Sequence, residues 1–225
     1  MMQFKPVLAA AALGLSACAL PGAAHAEEVF DAPVAARRAN ESGLQTAIFA
    51  GGCFWGIEGI FSHTRGVTSA VAGYHGGSAG TATYSRVSSG TTNHAEAVRV
   101  TYDPSVIRYD QLLQILFSVG ADPTLHNRQG PDRGPQYRAA IVPTTAHQRA
   151  VAQAYVAQMG RSGVWDRPMA VEVERYREFY EAEAYHQDFM QKNPGHRYIV
   201  RWDAPKVDAL QAKFPQFYRA RFRTG

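Results

Sequence analysis

The sequence predicts an α/β sandwich, a sheet covered by helices on at least one face. Three observations point there. Short apolar runs of strand type interleave with longer segments of helical spacing, and tight turns leading from one strand run directly into the next are mostly missing. A chain of 225 residues, about 200 once an export signal is removed, suits one domain that buries its own core without staples.

Residues 1–26 read as an export signal: Lys5 precedes the apolar run from Val7 to Leu20, and Pro21, Gly22, Ala24 and Ala26 follow. The run is too short to span a bilayer. Small residues at Ala24 and Ala26 suit an ordinary signal peptidase and a soluble periplasmic product. Leu15, Ser16, Ala17 and Cys18 suit lipid attachment at Cys18 and a membrane-anchored one. Cleavage after Ala26 removes Lys5 and no acid, so the formal charge falls from +4 to about +3. It also leaves one cysteine, Cys53, so an internal disulfide is excluded.

Residues 27–43 show no sustained apolar periodicity and are expected to form a leader that lies over the domain or is mobile, with a single catalytic domain over 44–225. Leu44–Ala50 is a buried-strand run that stops at Gly51 and Gly52, and Phe54–Phe61 follows with helical spacing. Val67–Gly73 is a second strand before a Gly-rich loop from Gly76 to Gly80. Ala95–Tyr102 alternates as a third and stops at Asp103 and Pro104. Tyr109–Val119 fits a helix with Leu112, Leu113, Leu116 and Phe117 inward. Gly120–Gln136, rich in Pro and Gly, is expected as an ordered loop that can wall a site. Strands at Tyr137–Val142 and Ala170–Arg175 and helices at Thr145–Met159 and Glu181–Gln191 complete the pattern. The basic cluster Arg219, Arg221 and Arg223 reads as a solvated tail. There is no repeat, heptad or nucleic-acid signature, and the eight histidines have no zinc-site spacing, so neither a nucleic-acid partner nor a metal is expected.

Cys53 stands where strand gives way to helix, after two glycines that let the backbone turn sharply. Free amides and the positive end of the helix dipole are expected to favour its thiolate there; the alternative is an inert core cysteine. Phe54 and Trp55 either line an apolar pocket beside the sulfur or begin the helix's core face. Glu96 shares a strand face with Val98, Val100 and Tyr102, where desolvation would keep it protonated as a general acid requires. The alternative is a carboxylate that turns to solvent or pairs with an Arg. Tyr84, Asp132 and Tyr137 lie in or beside loops with their polar ends available.

The run Gly51, Gly52, Cys53, Phe54, Trp55, Gly56 resembles the active-site motif of the A-type peptide methionine sulfoxide reductases. The similarity continues through Gly73–Gly77, Thr83 and Tyr84, Gly90–Val98, Gln129 and Gly130, Gly134, Gln136–Arg138, and His186, Gln187 and Lys192–Pro194, over roughly residues 45 to 200. The resemblance implies a two-layer α/β sandwich with a mixed sheet and a ferredoxin-like core. It implies a monomer that reduces methionine S-sulfoxide, free or in oxidised proteins, with no bound cofactor. In that scheme Cys53 attacks the sulfoxide sulfur, Glu96 protonates the oxygen, and Tyr84 and Tyr137 hydrogen-bond it. Phe54 and Trp55 hold the substrate methyl, and Asp132 orders the polar wall. Many relatives carry further cysteines in a Gly-rich tail; here Pro194 leads into Gly195, His196, Arg197, Tyr198 and Ile199. A one-cysteine form follows, in which an external thiol, thioredoxin-like, glutaredoxin-like or small, reduces the Cys53 sulfenic acid. Pro131 and Pro135 flank Asp132 and depart from the family pattern.

Two other readings compete. A cysteine hydrolase or acyltransferase would need a base beside Cys53, for which His186 or His75 could serve. An exported binding module would use Phe54, Trp55 and the tyrosines as a grip and Cys53 only as packing.

Overall fold

The computed structural model describes residues 28–225, so the export signal and Cys18 lie outside the described residues. Strand β1 (Gln45–Gly51) leads into helix α1 (Phe54–Ser62), followed by β2 (Val67–His75), the short helix α2 (Tyr84–Val87) and β3 (Ala95–Tyr102). Helix α3 (Tyr109–Ile115) runs into a π-helical turn, Leu116–Gly120. A hairpin of two short strands, β4 (Arg128–Gln129) and β5 (Asp132–Arg133), precedes β6 (Ala139–Val142), α4 (Ala146–Met159), β7 (Glu172–Val173) and β8 (Phe179–Glu181). Helices α5 (Phe189–Lys192) and α6 (Ala204–Lys213) close the chain, with a second π-helical turn, Ile199–Asp203, between them.

The fold is α/β, with a six-stranded mixed sheet in the order β7-β6-β1-β3-β2-β8. Among the described residues only the β6–β7 pair is parallel. Alternation along the strands divides their side chains between two faces. One face carries Phe49, Ala72, Tyr74, Val98, Val100 and Tyr102 into a core shared with Ile57, Ile60 and Phe61 of α1, Leu112 and Leu113 of α3, and Val151 and Tyr155 of α4. The other holds a smaller cluster of Ile48, Ala50, Ala95, Ala97, Ala140, Val142 and Phe179. The register sets Glu96 opposite Tyr74 and Val98 opposite Phe49, so Glu96 lies on the helix-covered face.

Residues 28–43 are built into the domain. The Phe30 N–H donates to the Ser118 carbonyl at 2.9 Å, the Ala39 N–H to Asp110 Oδ1 at 2.8 Å, and the Tyr155 hydroxyl to the Pro33 carbonyl at 2.8 Å. These bonds satisfy backbone groups that otherwise have no ladder.

Three segments differ from the expected elements. Glu181–Gln191 is not a helix: Phe179–Glu181 pairs with β2, turns follow, and only Phe189–Lys192 is helical. The edge strand is energetically preferred because its backbone groups pair with Gly73–His75, a tertiary gain that local periodicity does not report. Residues 120–136 contain the β4–β5 hairpin, hidden by its two-residue strands. The basic tail is not simply solvated: Arg219 donates to the carbonyls of Ser62 and Val67 at 3.1 and 2.9 Å, and Arg223 to that of Thr68 at 2.9 Å. The two guanidinium groups fasten the end of the chain to α1 and β2.

Candidate active site

The site begins at the break between β1 and α1. Gly52 adopts φ +87°, a conformation that side chains resist, and a β-carbon there would lie 2.6 Å from that of Gln129. The tight turn leaves Cys53 as the residue preceding α1 and points the first amides of the helix into the interior. One of them, the Phe54 N–H, donates to Glu96 Oε2 at 3.0 Å. Glu96 is 2% exposed, and burial pushes its carboxyl up from 4.5 to about 8, against the Phe54 hydrogen bond and with help from Asp132. It is therefore largely protonated at neutral pH.

A cavity of about 260 Å³ opens over Cys53, lined by Phe54, Trp55, Tyr84, Glu96, Asp132, Tyr137, His196 and Tyr198. Every site residue singled out from the sequence thus lies in one wall. Tyr84 heads α2, where its backbone N–H donates to Glu183 Oε1 at 2.9 Å. Tyr137 ends a 3₁₀ turn, Pro135–Tyr137, and Asp132 is carried by the β4–β5 hairpin. Burial raises both phenols, that of Tyr84 to about 12, so both remain hydrogen-bond donors. A larger cleft of about 580 Å³ lies behind the hairpin, lined among others by Asp122, Arg128, Arg167 and Trp202; Cys53 does not line it.

The expected thiolate is not what the surroundings favour. Burial first, and then Glu96 and Asp203, which oppose a neighbouring anion once they ionise, push the Cys53 pKa well above the ordinary thiol range, and the Trp55 N–H lowers it only in part. The helix terminus supplies a short-range partial charge, whereas loss of water and the neighbouring carboxyl groups oppose the anion. Cys53 thus rests as a thiol.

Two further wall residues, His196 and Tyr198, were not among the candidates read from the sequence. They follow Pro194 and Gly195, and only the return of the chain toward α1 brings them to the cavity. Tyr198 donates its hydroxyl to Asp132 and meets the Trp55 ring edge-on at 5.9 Å. Trp55 also stacks on Phe189 at 3.8 Å. His186 is buried and holds the indole: Trp55 Nε1 donates to its Nδ1 at 3.2 Å. Burial lowers the His186 pKa, so it is a neutral acceptor there. Its ring lies 5.0 Å from that of Phe54 and 4.4 Å from that of Tyr84. His75 is engaged elsewhere, with Glu174 at 3.3 Å and the Arg177 N–H at 3.0 Å. Neither His186 nor His75, the bases named for acyl transfer, lines the cavity, whereas His196 does. Among the described residues, no group of three or more His, Cys, Asp or Glu is placed to hold a metal ion.

A family model for peptide methionine sulfoxide reductase matches residues 45–217. A peptide methionine sulfoxide reductase MsrA 2 from Synechocystis sp. is 50% identical over 178 residues, covering 79% of this chain and 83% of that protein. Its namesake from Mesorhizobium japonicum is 49% identical over 176 residues, covering 78% and 90%. Among solved structures, methionine sulfoxide reductase A of Corynebacterium diphtheriae superposes with a TM-score of 0.57 at 31% identity, covering 81% of this chain and 92% of its own. Mxr1 from Saccharomyces cerevisiae in reduced form gives a TM-score of 0.60 at 29% identity, covering 69% and 90%. With this match over most of its length, and a cavity that gathers the motif residues around one thiol, the chain belongs to the peptide methionine sulfoxide reductase family.

Proposed function

We propose that this protein is a one-cysteine peptide-methionine (S)-S-oxide reductase in which Cys53 is the group oxidised. The observation that carries the proposal is the convergence of Cys53, a protonated Glu96 and two phenol donors on one cavity walled by Phe54 and Trp55. Sulfoxide oxygen is a poor leaving group unless it is protonated as its bond to sulfur breaks. Glu96 gives its proton to that oxygen, and its carboxylate receives the one Cys53 loses on attack. Tyr84 and Tyr137 donate to the same oxygen and stabilise charge as it develops. Phe54 and Trp55 take the S-methyl group, and Asp132, held by Tyr198, orders the polar side.

The first half-reaction converts the Cys53 thiol and one sulfoxide to a Cys53 sulfenic acid and one thioether. Oxygen passes to Cys53, whose sulfur supplies the two electrons. An external thiol then displaces water from the sulfenic acid to give a mixed disulfide, and a second thiol releases Cys53 and carries away the disulfide. Cys53 is the free cysteine among the described residues and the other cysteine of the chain is Cys18, which supports an outside reductant of thioredoxin-like, glutaredoxin-like or small-thiol type.

The finer reading of the fold is a two-layer sandwich with a ferredoxin-like core. The strands β6-β1-β3-β2, antiparallel throughout, have the fourth-first-third-second order of that arrangement. The chain is read as a single catalytic domain and a monomer. It is exported, either soluble after cleavage behind Ala26 or anchored at Cys18; both cleavage points precede Phe30, whose side chain is buried in the domain. A start at Glu27 in the intact mass of the exported protein supports the soluble form, and a lipidated start at Cys18 the anchored one. Replacement Cys53→Ser is expected to abolish sulfoxide reduction; retained turnover would overturn the assignment of the reacting group.

A further inference from the structure

Asp203 lies outside the wall of the cavity and has a part in none of the steps above. It ends the second π-helical turn and runs directly into α6 with helical dihedral angles, and its side chain makes no capping bond. It is fully buried, and among the described residues neither carboxyl oxygen has a hydrogen-bond partner. A buried carboxyl without such partners is costly, so its position needs a reason.

Its neighbour is the first turn of α1. Oδ1 presses against Gly56, where a β-carbon would overlap it, and the Lys206 side chain passes the same point at 3.4 Å. Gly56 follows Cys53 by three residues, so the two share one side of the helix start. The carboxyl of Asp203 therefore sits behind the Cys53 turn, facing the backbone that carries the sulfur.

We propose that Asp203 is a positioning residue for this reaction, a buried carboxyl that acts on Cys53 from behind the helix start and governs when its sulfur becomes nucleophilic. The inference rests on Cys53 being the reacting group, as proposed above. The charged and titratable groups around Asp203 are Cys53 before α1, Glu96 on β3, Asp132 on β5, Tyr198 ahead of the π-helical turn, and Lys206 on α6. Three acids and a thiol in one low-dielectric region exchange protons as a group. Burial raises the Asp203 pKa well above the ordinary carboxylate range, and Asp132 and Glu96 reinforce this. As pH rises, a carboxyl that ionises ahead of the thiol places its charge behind the sulfur and delays the thiolate. The enzyme thereby keeps its nucleophile as a thiol until a sulfoxide in the cavity draws a proton from Glu96.

The test is the alkylation rate of Cys53 by iodoacetamide as a function of pH, followed by mass, in wild-type protein and in Asp203→Asn. The amide keeps the volume and cannot ionise. Its midpoint is expected at lower pH, by about one unit, which makes alkylation below the midpoint about tenfold faster. The pH profile of kcat for sulfoxide reduction is expected to shift the same way with KM unchanged. A folded variant with the wild-type alkylation profile overturns the proposal. Should the variant not fold, ¹³C-carboxyl titration of Asp203 in the wild-type protein decides. Its midpoint is expected at lower pH than that of Cys53 alkylation, and a midpoint at or above the alkylation midpoint overturns the proposal. Because alkylation needs no sulfoxide turnover, failure of the reductase reading is seen separately as a wild-type protein that alkylates but reduces nothing.

Discussion

The backbone N–H of Phe54 donates to Glu96 Oε2 at 3.0 Å, joining the first residue of α1 to a carboxyl on the buried face of β3, 42 residues away in sequence. This bond seats the acid beside the nucleophile and uses an amide that the helix leaves free. It also opposes the protonated state, and burial outweighs it.

Glu96→Gln keeps an oxygen for the Phe54 N–H and removes the proton. The single-turnover rate of sulfoxide reduction is expected to fall by about 100-fold or more, while Cys53 still reacts with iodoacetamide. In the wild-type protein the proton is available below the Glu96 pKa and lost above it, so the rate is expected to decline as pH rises through about 8. Equal rates in wild type and variant would remove the general-acid role.

The bond from Tyr198 to Asp132 ties the end of the chain to the hairpin wall. Tyr198→Phe keeps the ring against Trp55 and deletes the hydroxyl. Loss of one hydrogen bond of about 1 kcal/mol corresponds to about fivefold in kcat/KM. Steady-state kinetics on a methionine sulfoxide peptide measure it; an unchanged kcat/KM would mean that Asp132 needs no such support.

Much of the site was legible because its chemistry violates local pattern. Glu96 on an apolar strand face and Cys53 after a glycine pair are each visible as exceptions, and the family motif tied Tyr84, Tyr137 and Asp132 to them. His196, Tyr198 and Asp203 break no local pattern; they matter only because the chain returns to α1 after Gly195, a tertiary event. The thiolate expectation reads only the local helix end: burial of the sulfur, and after it the carboxyl groups of Glu96 and Asp203, come from elements far away in sequence and raise the Cys53 pKa. Strands β1, β2, β3, β6 and β7 were readable from their apolar or alternating runs, whereas β4, β5 and β8 are too short to show a period.

Glu58 is fully buried in α1, and burial raises its pKa from 4.5 to about 8. The folded protein thus holds a proton that the unfolded chain releases, and its stability is lost as pH rises from about 4.5 toward 8. Glu58→Gln removes this linkage. The variant's stability relative to wild type is expected to improve between those two pH values, measured by urea unfolding at each. A constant difference would show that Glu58 ionises alike in both states.

The most direct test of the central claim is a single turnover of the reduced protein with each epimer of a methionine sulfoxide peptide. Methionine is counted and the protein weighed afterwards. The expected result is about one methionine per protein from the S epimer alone, with one added oxygen on Cys53. No methionine from either epimer, or methionine formed without oxidation of Cys53, would contradict it.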